Sequence, residues 1–249
     1  MRILGIIPAR YASTRFPGKP LIDLGGKSMI QRVIEQAEQA TSLRKVVVAT
    51  DDERIAEHVR GLGKQVVMTD ASHLNGTARC AEAYANLGES FDAVINIQGD
   101  EPFIHPSQID LLATALNNKD TQIATLVKKL ETSEDLFNSN IVKCVFGAGQ
   151  RALYFSRSAI PHLRGVAEAD WMSSSTAFYK HIGIYGYKSE TLPLLSQLEP
   201  TPLELVESLE QLRWLENNFF IRIETTDLET IGIDTPEDVK KILHFFEKK

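Results

Sequence analysis

Ile3-Leu4-Gly5-Ile6-Ile7-Pro8-Ala9-Arg10-Tyr11-Ala12-Ser13-Thr14-Arg15-Phe16-Pro17-Gly18-Lys19-Pro20 opens the chain with an apolar run that ends in a basic loop. The run is short and interrupted by Pro8, so it reads as a buried strand and not as the core of a signal peptide. Similar β-branched runs recur at Val46–Thr50, Gln65–Met68 and Ala93–Ile97, separated by segments with helical spacing such as Met29 to Ala40. That alternation predicts βαβ units around a mostly parallel sheet, an α/β fold. In such a sheet ligands bind beyond the carboxyl ends of the strands, which makes the loop after the first strand the first place to look for chemistry.

That loop carries Arg10, Arg15 and Lys19 beside Ser13 and Thr14. Three cations, hydroxyls and backbone donors suit a triphosphate, which needs many donors and much neutralisation; a solvated basic turn is the simpler alternative. It is neither a Gly-x-x-x-x-Gly-Lys-Ser/Thr loop nor a Gly-x-Gly-x-x-Gly turn, so kinase, GTPase and dehydrogenase readings lose their main support.

Two further loops are placed in the same way. Gln98-Gly99-Asp100-Glu101-Pro102 follows the strand-like Ala93–Ile97 and presents one amide and two carboxylates. Magnesium is held by one or two carboxylates with phosphates and water completing its shell, and Asp100 is the better ligand candidate; a capping turn before a helix near Pro106 explains the same residues. Asp234, in Gly232-Ile233-Asp234-Thr235-Pro236, precedes a helix from Pro236 and on its own reads first as a local cap. Thr77, before an Ala-rich stretch, reads as another helix cap.

Between about 121 and 187 the pattern changes. Ile123–Val127, Ile141–Phe146, Ala152–Phe155 and His181–Tyr187 are strand-like with few helices between them, which predicts extra, partly antiparallel sheet. We therefore expect a single domain over 1–249, with room for a small subdomain within about 121–187. Pro202 to Asn217, with Leu203, Leu205, Val206, Leu209, Leu212 and Leu215 at helical spacing, predicts one helix packed on that surface. On the strand His181-Ile182-Gly183-Ile184-Tyr185, residues 181, 183 and 185 share a face, which could line a sugar pocket or be ordinary half-exposed sheet. His58, His105, His162 and His244 show no partner pattern.

The bulk properties bound the function. A formal net charge of -6 argues against a general affinity for nucleic acid or anionic membrane. No uncharged apolar run approaches the ~18 residues of a membrane span, and the expectation is a cytoplasmic protein. Cys80 and Cys144 stand far apart with no Cys-x-x-Cys pair, so they read as small buried hydrophobes and suggest no disulfide or zinc site.

Taken together, Ile7–Leu21 (IPARYASTRFPGKPL), Ala49–Asp51 (ATD), Gly76-Thr77 with Arg79, Asn96–Pro102 (NIQGDEP), Ala152–Arg157 (ALYFSR), His181–Tyr187 (HIGIYGY), Glu207–Arg213 (ESLEQLR) and Gly232–Asp238 (GIDTPED) resemble the 3-deoxy-manno-octulosonate cytidylyltransferase (CMP-Kdo synthetase) family. The matching stretches run through nearly the whole chain in the family's order. The first loop alone indicates a sugar nucleotidyltransferase; HIGIYGY and LEQLR narrow the match to enzymes acting on 3-deoxy-manno-octulosonate (Kdo). The resemblance implies a nucleotide-diphospho-sugar transferase fold and transfer of CMP from CTP to Kdo with release of pyrophosphate, for lipopolysaccharide biosynthesis. It also implies magnesium (Mg2+) on Asp100 and Asp234, and triphosphate contacts from Arg10, Ser13, Arg15 and Lys19. Arg79 and Gln98 would hold the cytidine part, and Arg157, His181, Tyr185, Glu210 and Gln211 would face the sugar acid. Catalytic weight falls on Lys19, Arg15 and Asp100, and a homodimer is implied through the strands around Ala152–Phe155. The rival readings are a cytidylyltransferase for another acidic sugar, such as amino-Kdo or a nonulosonate, and a catalytically silent nucleotide-binding protein.

Overall fold

Ile3–Ala9 forms β1, buried on both faces as a central parallel strand must be. A computed structural model describes residues 1–12, 16–73, 75–233 and 235–247 of the protein. On one side β1 pairs in parallel with β2 (Leu43–Thr50), and β2 with β3 (Val66–Met68); on the other it pairs in parallel with β4 (Ala93–Asn96). Beyond β4 lie β8 (Tyr179–Lys188), β5 (Ile123–Lys129) and β9 (Ile221–Thr225), giving the path β3-β2-β1-β4-β8-β5-β9. Within that path β8 is the strand that runs against the others: it is antiparallel to both β4 and β5, while β5 and β9 are parallel. A hairpin of β6 (Lys143–Phe146) and β7 (Ala152–Ser156) extends antiparallel from β8. The mostly parallel sheet with antiparallel additions in 121–187 is the one the sequence predicted.

Helices cover both faces because β1 alternates its side chains between two cores. Ile3 and Ile7 pack with α1 (Met29–Ala37), α2 (Glu53–Gly61) and α4 (Pro106–Leu116). Leu4 and Ile6 pack on the opposite face with α3 (Gly76–Leu87), α6 (Leu192–Ser196) and α8 (Glu210–Glu216). Beside these, α5 (Ser133–Phe137) carries Leu136 into a separate cluster with Leu130, Trp171 and Phe178, inside the 121–187 segment whose β5 and β8 are built into the main sheet. Both cysteines are buried, and burial raises both thiol pKa values well above the ordinary range.

Two helix expectations need correction. Thr77 does not cap α3: Asn75 accepts the Ala78 amide and Gly76 begins the helix, which leaves the Thr77 hydroxyl to donate to Glu210 at 3.0 Å. The expected helix from Pro202 to Asn217 is two helices, α7 (Pro202–Glu207) and α8, broken where Ser208 adopts φ 52° and Leu209 is extended. The break is held by two arginines, one of them from outside the segment. Arg157 donates from Nε to the Glu207 carbonyl (2.7 Å) and from Nη2 to that of Ser208 (3.4 Å), while Arg213 grips the Glu204 carboxylate with two bonds of 2.6 Å. Carbonyls that would have continued the ladder are thus taken by a side chain. Leu205 and Val206 consequently face solvent, 67% and 84% exposed, instead of packing on the core. The last helix, α9 (Pro236–Glu247), begins as expected, with the Thr235 hydroxyl donating to Asp238 at 2.9 Å.

Among the described residues no helix is long and apolar enough to cross a membrane.

Candidate active site

The loops after β1 and β4 meet over the carboxyl end of the sheet. Lys19 donates from Nζ to Oδ2 of Asp100 at 2.7 Å, a charge-assisted bond joining residues 81 positions apart. Gly18 makes this geometry available. At φ 73° it occupies the left-handed region, its amide donates to the Tyr11 carbonyl at 2.9 Å, and a Cβ there would press on the Tyr11 ring at 3.1 Å. Arg54 stacks on that ring 3.3 Å from its centroid, and is itself held by Asp52 through bonds of 2.9 and 2.6 Å. Gly99 passes so close to β1 that a Cβ would lie 2.7 Å from the Pro8 carbonyl oxygen. The third loop joins them where the Ile233 amide donates to the Asp100 carbonyl at 3.0 Å. Arg10 is exposed at the start of the first loop. Ser13, Arg15 and Asp234 lie outside the described residues.

Against this junction opens a cavity of about 340 Å³, lined by Gln98, Asp100, Glu101 and Gly232 on one side and by His181, Gly183, Tyr185, Leu209 and Gln211 on the other. The second wall owes its shape to an irregularity in β8. Leu126 of β5 stands opposite Ile182, but Thr125 stands opposite Tyr185, so Gly183 and Ile184 have no counterpart in β5. Such bulges re-aim side chains and release backbone groups from the ladder. Here the Gly183 carbonyl accepts from Gln98 Nε2 at 2.8 Å, tying the β4 loop to β8. His181 rests edge-on against Phe155 (5.1 Å, 77°) with its ring centroid 5.3 Å from that of Tyr185. Burial pushes the His181 pKa down to about 3, so the imidazole is neutral at ordinary pH. Tyr185 is 7% exposed, and Trp214 packs edge-on against its ring at 4.9 Å.

Other residues singled out from sequence sit behind these walls. Arg79 is buried just beyond the ends of β2 and β3, donating to Thr69 at 2.6 Å and pairing with Asp51 at 3.1 Å. Glu210 accepts the Thr77 hydroxyl, and burial raises its carboxyl to about 7. Arg157 spends its guanidinium on the carbonyls of Ser139, Glu207 and Ser208. It does not line the cavity, but it braces the turn that delivers Leu209 and Gln211 to it.

Sequence reasoning passed over Glu101, Leu209 and Thr125. Glu101 was visible as the second carboxylate of its loop; burial, then the neighbouring Asp100, raise its carboxyl to about 8, and its Oε2 is buried without a partner among the described residues. Thr125 left one signal, a hydroxyl inside the apolar run Ile123–Val127.

Chemically, the cavity joins a carboxyl-bearing end, where Lys19 of the basic loop meets Asp100, to a polar, aromatic-backed end. Among the described residues no group of three or more His, Cys, Asp or Glu could hold a metal ion. Magnesium asks for less: a carboxylate or two, with substrate phosphates. The Asp100 side chain, 35% exposed beyond its bond to Lys19, is a hard oxygen donor of the kind that suits such an ion.

Comparison with known proteins gives the same picture. The Cytidylyltransferase family model matches residues 4–231. A 3-deoxy-manno-octulosonate cytidylyltransferase of Parabacteroides distasonis is 54% identical over 253 residues, covering 100% of both chains. One of Bacteroides thetaiotaomicron is 52% identical over 252 residues, again covering 100% of both. The solved structure of a CMP:2-keto-3-deoxy-manno-octonic acid synthetase complexed with CTP superposes with a TM-score of 0.92 at 37% identity, covering 100% of this chain and 99% of that one.

Proposed function

The chain belongs to the 3-deoxy-manno-octulosonate cytidylyltransferase family, and on that premise we infer that it transfers CMP from CTP to Kdo, releasing pyrophosphate and supplying CMP-Kdo for lipopolysaccharide biosynthesis. The observation that carries this reading is the single cavity in which Asp100, held by Lys19, faces His181, Tyr185 and Gln211. A triphosphate and a polyhydroxy acid need those two ends within one site.

In the reaction the anomeric hydroxyl oxygen of Kdo bonds to the α-phosphorus of CTP as the bond to the β-phosphate oxygen breaks. Pyrophosphate departs on the opposite side and the hydroxyl proton passes to solvent; no side chain is assigned as general base. Lys19, fixed by Asp100, places a positive charge beside the phosphates, and Arg10, Ser13 and Arg15 supply further donors from the same loop. Gln98 spans the two substrates, with its amide nitrogen fixed on Gly183. Arg79 supports the cytidine side through Asp51 and Thr69. On the sugar side His181, Tyr185 and Gln211 make the contacts, while Glu210 and Arg157 support them from behind. Holding the hydroxyl and the phosphate in register supplies much of the rate. Asp100 and Asp234 are the residues that would hold magnesium (Mg2+), whose charge, when bound, offsets that of the phosphates.

The same reading includes a homodimer and a cytoplasmic setting. The dimer is supported by β7, an edge strand that pairs with β6 and whose Leu153 is 60% exposed. The setting is supported by the use of CTP.

Phosphorus-31 spectra of the protein with CTP, Kdo and magnesium test the reaction. Loss of the triphosphate resonances with growth of a phosphodiester and of pyrophosphate supports it; an unchanged triphosphate would overturn it.

A further inference from the structure

Thr125 lies in β5 behind the cavity wall, yet its Oγ1 meets three polar atoms. It donates toward the carbonyls of Ile184 (2.8 Å) and Ile182 (3.2 Å), and it stands 3.0 Å from Nε2 of His181. These contacts follow from the bulge: β5 and β8 fall out of step between Thr125 and Leu126, and the hydroxyl fills the place of the missing ladder.

A hydroxyl has one proton and two lone pairs, and a carbonyl oxygen can only accept. Two carbonyl oxygens at these distances therefore claim the proton, since an O···O approach of 2.8 Å without one would set lone pair against lone pair. That leaves Oγ1 facing Nε2 with a lone pair, and the imidazole nitrogen must be the donor. The ring is neutral, its pKa pushed by burial to about 3, so it carries one proton and that proton is on Nε2. Nδ1 is then a bare acceptor, and it has no hydrogen-bond partner among the described residues.

We infer that Thr125 is a positioning residue for sugar recognition: by committing its only proton to the β8 bulge it fixes His181 as the Nε2–H tautomer and leaves Nδ1 to accept a hydrogen bond from a hydroxyl of the sugar acid. The functional half of this inference rests on the reading of the cavity as the Kdo subsite; the proton assignment does not. A lone pair at Nδ1 selects a hydroxyl donor and repels a carboxylate, so the sugar lies with a hydroxyl, and not its acid group, against His181. The bulge that sets this tautomer also hands the Gly183 carbonyl to Gln98, so one irregularity in β8 arranges both substrates.

The test pairs spectroscopy with kinetics. Protein labelled with nitrogen-15 histidine, with His181 assigned through His181→Gln, is read by long-range proton–nitrogen correlation near neutral pH. The wild type should show the Nε2–H pattern, Thr125→Ser should keep it, and Thr125→Val should lose it. In the kinetics Thr125→Val should raise KM for Kdo roughly tenfold, the scale of one misplaced hydrogen bond, without moving KM for CTP, and Thr125→Ser should restore it. An Nδ1–H or doubly protonated His181 in the wild type overturns the assignment. A tautomer that changes in Thr125→Val while KM for Kdo stays fixed overturns the role in recognition. Absence of wild-type turnover with Kdo would strike the functional reading instead, and the spectra would still decide where the proton lies.

Discussion

The Lys19 ammonium and the Asp100 carboxylate stand 2.7 Å apart, the one from the loop after β1 and the other from the loop after β4. With Lys19 only 13% exposed, the pair is largely shielded from water on the cationic side, and each group fixes the other at the mouth of the cavity. Removing the carboxylate takes from the lysine its partner at 2.7 Å and deletes the proposed metal ligand together. Asp100→Ala should lower turnover by roughly 100-fold or more, the scale of a lost electrostatic element, with little change in melting temperature. Steady-state pyrophosphate release decides it, and near-normal turnover would remove Asp100 from the chemistry.

Gly99 tests whether the closeness of β1 and β4 matters. A methyl group there would sit 2.7 Å from the Pro8 carbonyl oxygen, a backbone atom that cannot swing aside. Gly99→Ala should displace the Asp100 loop and cost about 1–3 kcal/mol, the range for overpacking. Thermal unfolding and turnover should fall together; a variant as stable and active as the parent contradicts the contact.

Glu210 gives a dependence on pH with a definite sign. Its carboxyl is raised from 4.5 to about 7 by burial, so the folded chain keeps this proton where the unfolded chain has released it. The contribution is therefore neutral below about 4.5, and stability falls as pH rises through that value, levelling off above about 7. The loss amounts to about 3 kcal/mol at most. Glu210→Gln keeps an acceptor for Thr77 and should flatten this part of the stability profile in denaturant titrations. A profile as steep as the parent's would assign the proton elsewhere.

Leu153 reports on assembly. An acidic side chain on this exposed position of β7 should split the proposed dimer, so Leu153→Glu should sediment at half the mass of the parent. A parent that sediments as a monomer, or a variant that stays a dimer, contradicts an interface at this strand.

Much of this site was legible in the sequence because its parts are local. A strand followed by Arg10 to Lys19, and a second followed by Gln98 to Pro102, declare themselves by composition, and parallel α/β topology brings their ends together. What was hidden depends on contacts distant along the chain. The break at Ser208 is imposed by Arg157, 51 positions away, and nothing in the even spacing of Leu203 to Leu215 signals it. Thr77 looked like a cap because it precedes alanines, but Asn75 has the geometry and Thr77 turns to Glu210. The role of Thr125 is set by residues inserted in a neighbouring strand, so its own segment could show no more than a hydroxyl among apolar neighbours.

The most direct measurement is pyrophosphate release by the purified protein with magnesium, offering CTP, UTP or ATP against Kdo, its amino analogue or a sialic acid. A site that bonds particular hydroxyls discriminates strongly against analogues that lack them. The account predicts release with CTP and Kdo and with no other pairing at comparable rate; no release with that pair, or equal release with a sialic acid, would contradict it.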